Sequence, residues 1–135
     1  MVNLSKESIK EELTTSIEKI ESVTGKDVTL FRAPFGSYNN TLLDVTDELG
    51  LKTIQWDVDT LDWKGLSASE MNNRVVSKVK NGSIILMHNN SDNILDGLRL
   101  ILTTLQNKGY LIGSVSNLIY ADNYTIDRNG IQHTN

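Results

Sequence analysis

Three groups of residues have the types and spacing from which chemistry is built. The segment QWDVDTLDW, residues 55–63, gathers both tryptophans of the chain, Trp56 and Trp63, with Asp57, Asp59 and Asp62. Like charges held this close repel one another, so a loop that keeps them points to binding or catalysis. Arg32 stands two residues before Pro34, the only proline, and the only two phenylalanines, Phe31 and Phe35, flank that spot. His88, one of two histidines, ends the apolar run SIILMH. Carboxylate and imidazole are the groups that exchange protons near neutral pH, and a nearby carboxylate favours the protonated ring.

Each group also has a structural explanation. A loop aspartate is usually a turn former or a helix cap, and this structural reading and the functional one both stay open for Asp57 and Asp59. Trp56 at a strand end fits a core, His88 alone fits a hydrogen-bonded strand terminus, and Arg32 alone fits a surface or capping cation. What favours function is their joint placement, because each group follows the carboxyl end of a predicted strand. His133 lies in the polar tail, and a disordered role is expected for it.

The elements that must position these groups follow from periodicity. Ile9, Leu13, Ile17 and Ile20 recur at helical spacing ahead of Gly25, which predicts an amphipathic helix over 5–24. VTLFR, 28–32, reads as a buried strand running into the turn-rich APFGSYNN, and a short helix over 40–49 closes at Gly50. LKTIQW reads as a second strand, with the aspartate-rich segment following it as a loop. Ser67 and Glu70 stand at capping-box spacing and open a third helix that runs to Gly82. SIILMH is a continuous apolar run of the kind found in strands covered on both faces. A long helix follows, with Ile94, Leu95, Leu98, Ile101, Leu102 and Leu105 on its inner side, then a last strand in YLIGSV and a short helix in SNLIY. Strict alternation without a hairpin signal means parallel strands joined by right-handed crossovers. The expected class is therefore α/β, an open sheet or part of a β/α barrel, with ligands beyond the carboxyl ends of the strands.

Composition narrows the function. The chain of 135 residues suits one domain, expected over 1–122, with a flexible tail at 123–135. A net charge of −4 argues against a general nucleic-acid binder, which needs clustered cations. Without cysteine there is neither a disulfide framework nor a thiolate metal site. MVNLSKESIKEEL lacks the pattern of a signal peptide, and no apolar stretch is long enough to span a bilayer. DVDTLDWKG fails as a calcium loop because its third carboxylate falls one position late and the glycine is missing. GKDVT and GLSAS lack phosphate-loop spacing, and no His-x-x-x-His or His-Glu-x-x-His pair occurs, so no metal ligand is assigned.

The three groups, in this order, resemble the motifs of the polysaccharide deacetylases of carbohydrate esterase family 4, also called the NodB-homology domain. RAPFG, 32–36, resembles the third motif, DTLDW, 59–63, the fourth, and ILMH, 85–88, the fifth. The resemblance reaches to about Tyr120, and it implies a partial (β/α) barrel with about four parallel strands alternating with helices. It implies metal-dependent removal of N-acetyl groups from N-acetylglucosamine polymers such as peptidoglycan or chitin, at the cell surface or outside it. Arg32 would then orient the base, and Asp62 would hold His88 protonated so that it can donate to the departing amine. The backbone N–H of Phe35, beside Pro34, would help hold the oxyanion; Leu86 would line the acetyl pocket and Trp63 a wall of the sugar groove.

The family's first two motifs, which carry the base and the metal ligands, correspond to nothing between Met1 and Asn135, and LSKESIKEEL resembles the segment just after them. A divalent metal, usually zinc, is implied for the complete family domain but not for these residues. The expectation is thus a partial deacetylase domain without activity by itself, with exposed sheet edges that invite a second copy. A glycan-binding module without chemistry, or a structural fragment, are the competing expectations.

Overall fold

Helix α1 (Lys6–Thr24) starts and stops on signals local to the sequence. In the computed structural model, which describes residues 1–135, the Ser5 hydroxyl accepts the Ser8 N–H at the first turn. Gly25 ends the helix at φ 65°, a left-handed conformation that costs glycine little, and its N–H donates to the Glu21 carbonyl. Strand β1 (Leu30–Phe31), helix α2 (Asn40–Glu48) and strand β2 (Lys52–Thr53) follow. Asn39 caps α2 by accepting the Leu42 N–H at 2.9 Å. Ile9 and Leu13 of α1 bury against Leu42 and Val45 of α2, with Ala33 and Leu51 completing the core. Lys6 and Lys10 both pair with Glu48 across the exposed side of the same two helices.

The chain divides into two compact units, Met1–Gln55 and Trp56–Asn135. The second opens with strand β3 (Val58–Asp59), then helix α3 (Ala68–Val76), strand β4 (Ile85–Leu86), helix α4 (Ile94–Asn107) and the short helix α5 (Val115–Leu118). Strands β5 (Tyr124–Ile126) and β6 (Gln132–Thr134) end it. Both halves of the capping box expected at Ser67 and Glu70 form. Val58, Met71, Val75, Ile101 and Leu105 make the core of this unit. Gly97 of α4 faces Met71 so closely that an added Cβ would lie 2.4 Å from the methionine Cε, so a small residue lets the thioether fill the gap.

The sheets of the first four strands are parallel, as the alternation requires, but they are not one run of four strands. β1 pairs with β2 and β3 with β4, each over two residues. A pair of strands without a third is marginal in stability, and these ladders stay short. Tyr110–Val115, expected as a strand, has no paired neighbour and forms none. Val58–Asp59, expected within a loop, is instead the partner of Ile85–Leu86, so SIILMH is half-buried rather than covered on both faces.

Other elements depart for local reasons. α3 ends at Val76, short of Gly82, where the Ser77 hydroxyl donates to the Arg74 carbonyl and competes for helical acceptors. α4 buries Gly97, Ile101 and Leu105, while Leu95, expected inside, is 79% exposed. Leu98 and Leu102 line an open cleft of about 810 Å3 together with Ile85, Met87, Leu111 and Ile112. Where the sequence predicts a frayed tail, β5 and β6 pair antiparallel around a turn in which Asp127 accepts the N–H groups of Asn129 and Ile131. No helix is long and apolar enough to cross a membrane.

Met71 is fully buried between α3 and α4. Met71→Ala removes its thioether and leaves a void that the two helices cannot close. The expected loss of stability is about 2–5 kcal/mol, read from urea unfolding followed by tryptophan fluorescence; a change within experimental error would contradict this account of the α3–α4 packing.

Candidate functional site

Within the first unit, the segment after β1 runs from Arg32 into a single 3-10 turn over Pro34–Gly36 that contains Pro34 and Phe35. Ala33 is buried, so it anchors the turn, while Arg32, Pro34 and Phe35 are exposed. Phe35 holds φ 58° and is 101% exposed. Left-handed backbone costs a non-glycine residue about 1–2 kcal/mol, and burying this ring repays none of it. The Gly36 carbonyl is held by the Gln55 side chain at 2.7 Å.

In the second unit the three aspartates separate into different roles. Asp57 accepts the Ser83 hydroxyl at 2.8 Å and the Ile84 N–H at 2.9 Å, fastening the segment before β3 to the one before β4. Asp59 accepts the Leu61 N–H at 2.9 Å and closes a turn on its own backbone. The turn-forming reading is the one the contact of Asp59 supports, whereas Asp57 is neither a turn former nor a helix cap but a tie between two segments remote in sequence. Leu61 then takes φ 54°, a second strained residue inside a motif, and this reversal sends Asp62 inward. Thr60, absent from the sequence-derived candidates, is fully buried and donates its hydroxyl to the Leu86 carbonyl at 2.9 Å, clamping β3 to β4.

Asp62 is 2% exposed and meets His88 twice. Its Oδ1 lies 2.7 Å from His88 Nδ1, and its Oδ2 accepts the His88 backbone N–H at 2.6 Å. The Trp63 N–H also donates to Oδ1, at 3.0 Å. Burial opposes ionisation of this carboxyl, but the bonds from the His88 ring and backbone, the attraction of the ring, and the Trp63 N–H outweigh it. The pKa therefore falls below the ordinary 3.8. An ionised carboxylate only accepts, so the proton between the two sits on Nδ1.

The pair borders a cavity of about 240 Å3, lined also by Trp63, Asn90, Ser91 and Asp92. Trp63 is 60% exposed, with the Lys64 ammonium 5.0 Å from its ring centroid. Leu86 lies outside this lining and packs in the β4 ladder opposite Asp59. The structure thus brings together Asp62, His88 and Trp63, whereas Arg32, Pro34 and Phe35 belong to the other unit. Sequence reasoning missed Asn90, Ser91 and Asp92; the polar run directly after His88 was the available signal.

No three side chains of His, Cys, Asp or Glu come together to hold a metal ion. Asp62 and His88 are only two groups and already spend Oδ1 and Nδ1 on each other, so the residues present do not fit the divalent metal implied by the resemblance.

Comparison with known proteins places these features in context. The sequence pattern of the polysaccharide deacetylase family matches residues 1–54. The uncharacterized protein YlxY of Bacillus subtilis is 35% identical over 88% of this chain and 37% of its own length. A peptidoglycan-N-acetylglucosamine deacetylase of Listeria monocytogenes is 33% identical over 85% of this chain and 25% of its own. The crystal structure of a CE4 family pseudoenzyme from Bacillus anthracis superposes with a TM-score of 0.84 at 32% identity, over 90% of this chain and 42% of that one. The chain therefore spans less than half the length of these relatives.

Because the folded-state pKa of Asp62 is depressed, its contribution to stability is complete above the ordinary value and is lost as the pH falls through the depressed one. Asp62→Asn replaces one accepting oxygen by an NH2 donor that faces another donor, with an expected cost of roughly 2–3 kcal/mol at neutral pH. Denaturant unfolding across acid pH checks both parts: the wild-type stability declines below pH 3.8, and the variant shows a shallower decline.

Proposed function

This chain belongs to the polysaccharide deacetylase family, and from that premise we propose that it carries the proton-donating half of a site for N-acetylglucosamine-containing glycans such as peptidoglycan or chitin. The observation that carries the reading is the buried Asp62 carboxylate fixed to His88 Nδ1 at 2.7 Å beside an exposed tryptophan. Hydrolysis of an acetamide adds water to the carbonyl and breaks the C–N bond, and the departing amine needs a proton. His88 supplies it, with Asp62 fixing the ring and stabilising its charge. Trp63 offers an aromatic face to a sugar ring. In a complete family site Arg32 would orient a carboxylate base and Phe35, beside Pro34, would offer its N–H to the oxyanion. Leu86 stands in the β4 ladder outside the cavity lining and is given no place in an acetyl pocket.

Residues 1–135 alone bind without turning over. The donor set supports this, since no base and metal-ligand cluster is assembled among them, and so does the likeness to a pseudoenzyme. The exposure of Trp63 favours a second reading on the same cavity, glycan binding without chemistry in any context. The place of action that fits such a substrate is the cell wall or the cell surface.

One pair of measurements tests the proposal. Titration with a chitin oligomer should quench or enhance tryptophan fluorescence and saturate below millimolar concentration, while acetate release with added divalent metal stays at background. A flat titration would remove the glycan site, and sustained acetate release would falsify the claim of inactivity.

Self-association belongs to the same proposal, because each two-stranded parallel pair leaves outer edges without a ladder partner. Sedimentation velocity should show a dimer or larger species at micromolar concentration, and a strictly monomeric boundary would refute it.

A further inference from the structure

The turn between His88 and α4 contains a polar group that the Asp62–His88 chemistry does not use. Ser91 is half-buried and lines the same cavity, and its Oγ is sealed from solvent without a hydrogen-bond partner. The turn that follows it is fixed by two hydrogen bonds. The Ser91 carbonyl accepts the Ile94 N–H at 3.2 Å, and Asn93 Nδ2 donates to the Leu66 carbonyl at 3.0 Å, tying the turn to the segment after Trp63. A buried hydroxyl without a partner is destabilising where it stands. Rotation about its single side-chain torsion breaks no hydrogen bond and carries Oγ to another staggered position. A serine hydroxyl can donate one bond and accept two, which matches the hydroxyl groups of a sugar ring.

We propose that Ser91 is a substrate-binding residue, whose hydroxyl turns into the cavity to meet a ring hydroxyl of an N-acetylhexosamine seated beside Trp63 and His88. This rests on the glycan reading of the same cavity. The empty-cavity position of Oγ is then the resting rotamer, and the ligand relieves an unpaired polar group. Asn90 and Asp92 flank it and border the cavity from the same turn.

The test compares wild type with Ser91→Ala, using isothermal titration calorimetry with a tetramer of N-acetylglucosamine and thermal unfolding of each protein without ligand. The expected result is an affinity about 3- to 10-fold weaker for the variant, the range of one neutral hydrogen bond. The melting temperature should be unchanged or raised, since no existing bond is removed. Equal affinity in the two proteins, or a lower melting temperature that accounts for the loss, overturns the role of Ser91 and leaves the glycan reading standing. Absence of saturable binding by the wild type overturns both.

Discussion

A carboxylate withdrawn from water must have every oxygen satisfied, and around Asp62 that requirement organises the second unit. Its oxygens take up the His88 ring, the His88 backbone and the Trp63 backbone. Those three donors come from two segments that are remote in sequence, and only the β3–β4 ladder brings them to one place. Thr60, Asp57 and Ser83 tighten that ladder from its two ends. The polar contacts of the DVDTLD segment therefore hold the backbone that holds Asp62, and like-charge repulsion is offset by giving each aspartate a separate set of donors.

Backbone strain marks one residue in each of two motifs. Two of the three non-glycine residues with positive φ, Phe35 and Leu61, fall inside the motifs RAPFG and DTLDW. A left-handed turn at Leu61 reverses the chain so that Asp62 points inward while the following tryptophan stays in solvent. At Phe35 the strain is paired with full exposure of an aromatic ring. The open apolar cleft along Leu98 and Leu102 makes a related point about packing. The inner stripe of α4 is wider than α3 alone can cover, so part of a pattern that reads as core remains uncovered.

The helices were legible because their signals are local. Ser67 and Gly25 act within one turn of themselves, and each forms the helix end expected of it, while Ser5 and Asn39, not among the expected caps, cap α1 and α2 in the same local way. Strand extent was not legible, since a ladder needs a partner and the sequence does not say which edge will find one. YLIGSV and SIILMH are equally apolar, yet only the second meets a neighbour, the segment Val58–Asp59. The roles of the aspartates were hidden for the same reason. Asp57, Asp59 and Asp62 have one chemistry in the sequence and differ only in which donors the fold supplies.

By itself, the sequence determined the helical elements, the parallel sense of the β1–β2 and β3–β4 pairs but not the antiparallel β5–β6 pair, and the family, because caps, crossovers and short motifs are written in contiguous residues. Tertiary structure decided the remainder: which aspartate lies buried against His88, which apolar residues stay uncovered, and that the polar turn Asn90–Asp92 borders the cavity. Burial and hydrogen-bond donors are properties of space, and they exist only once distant segments have met.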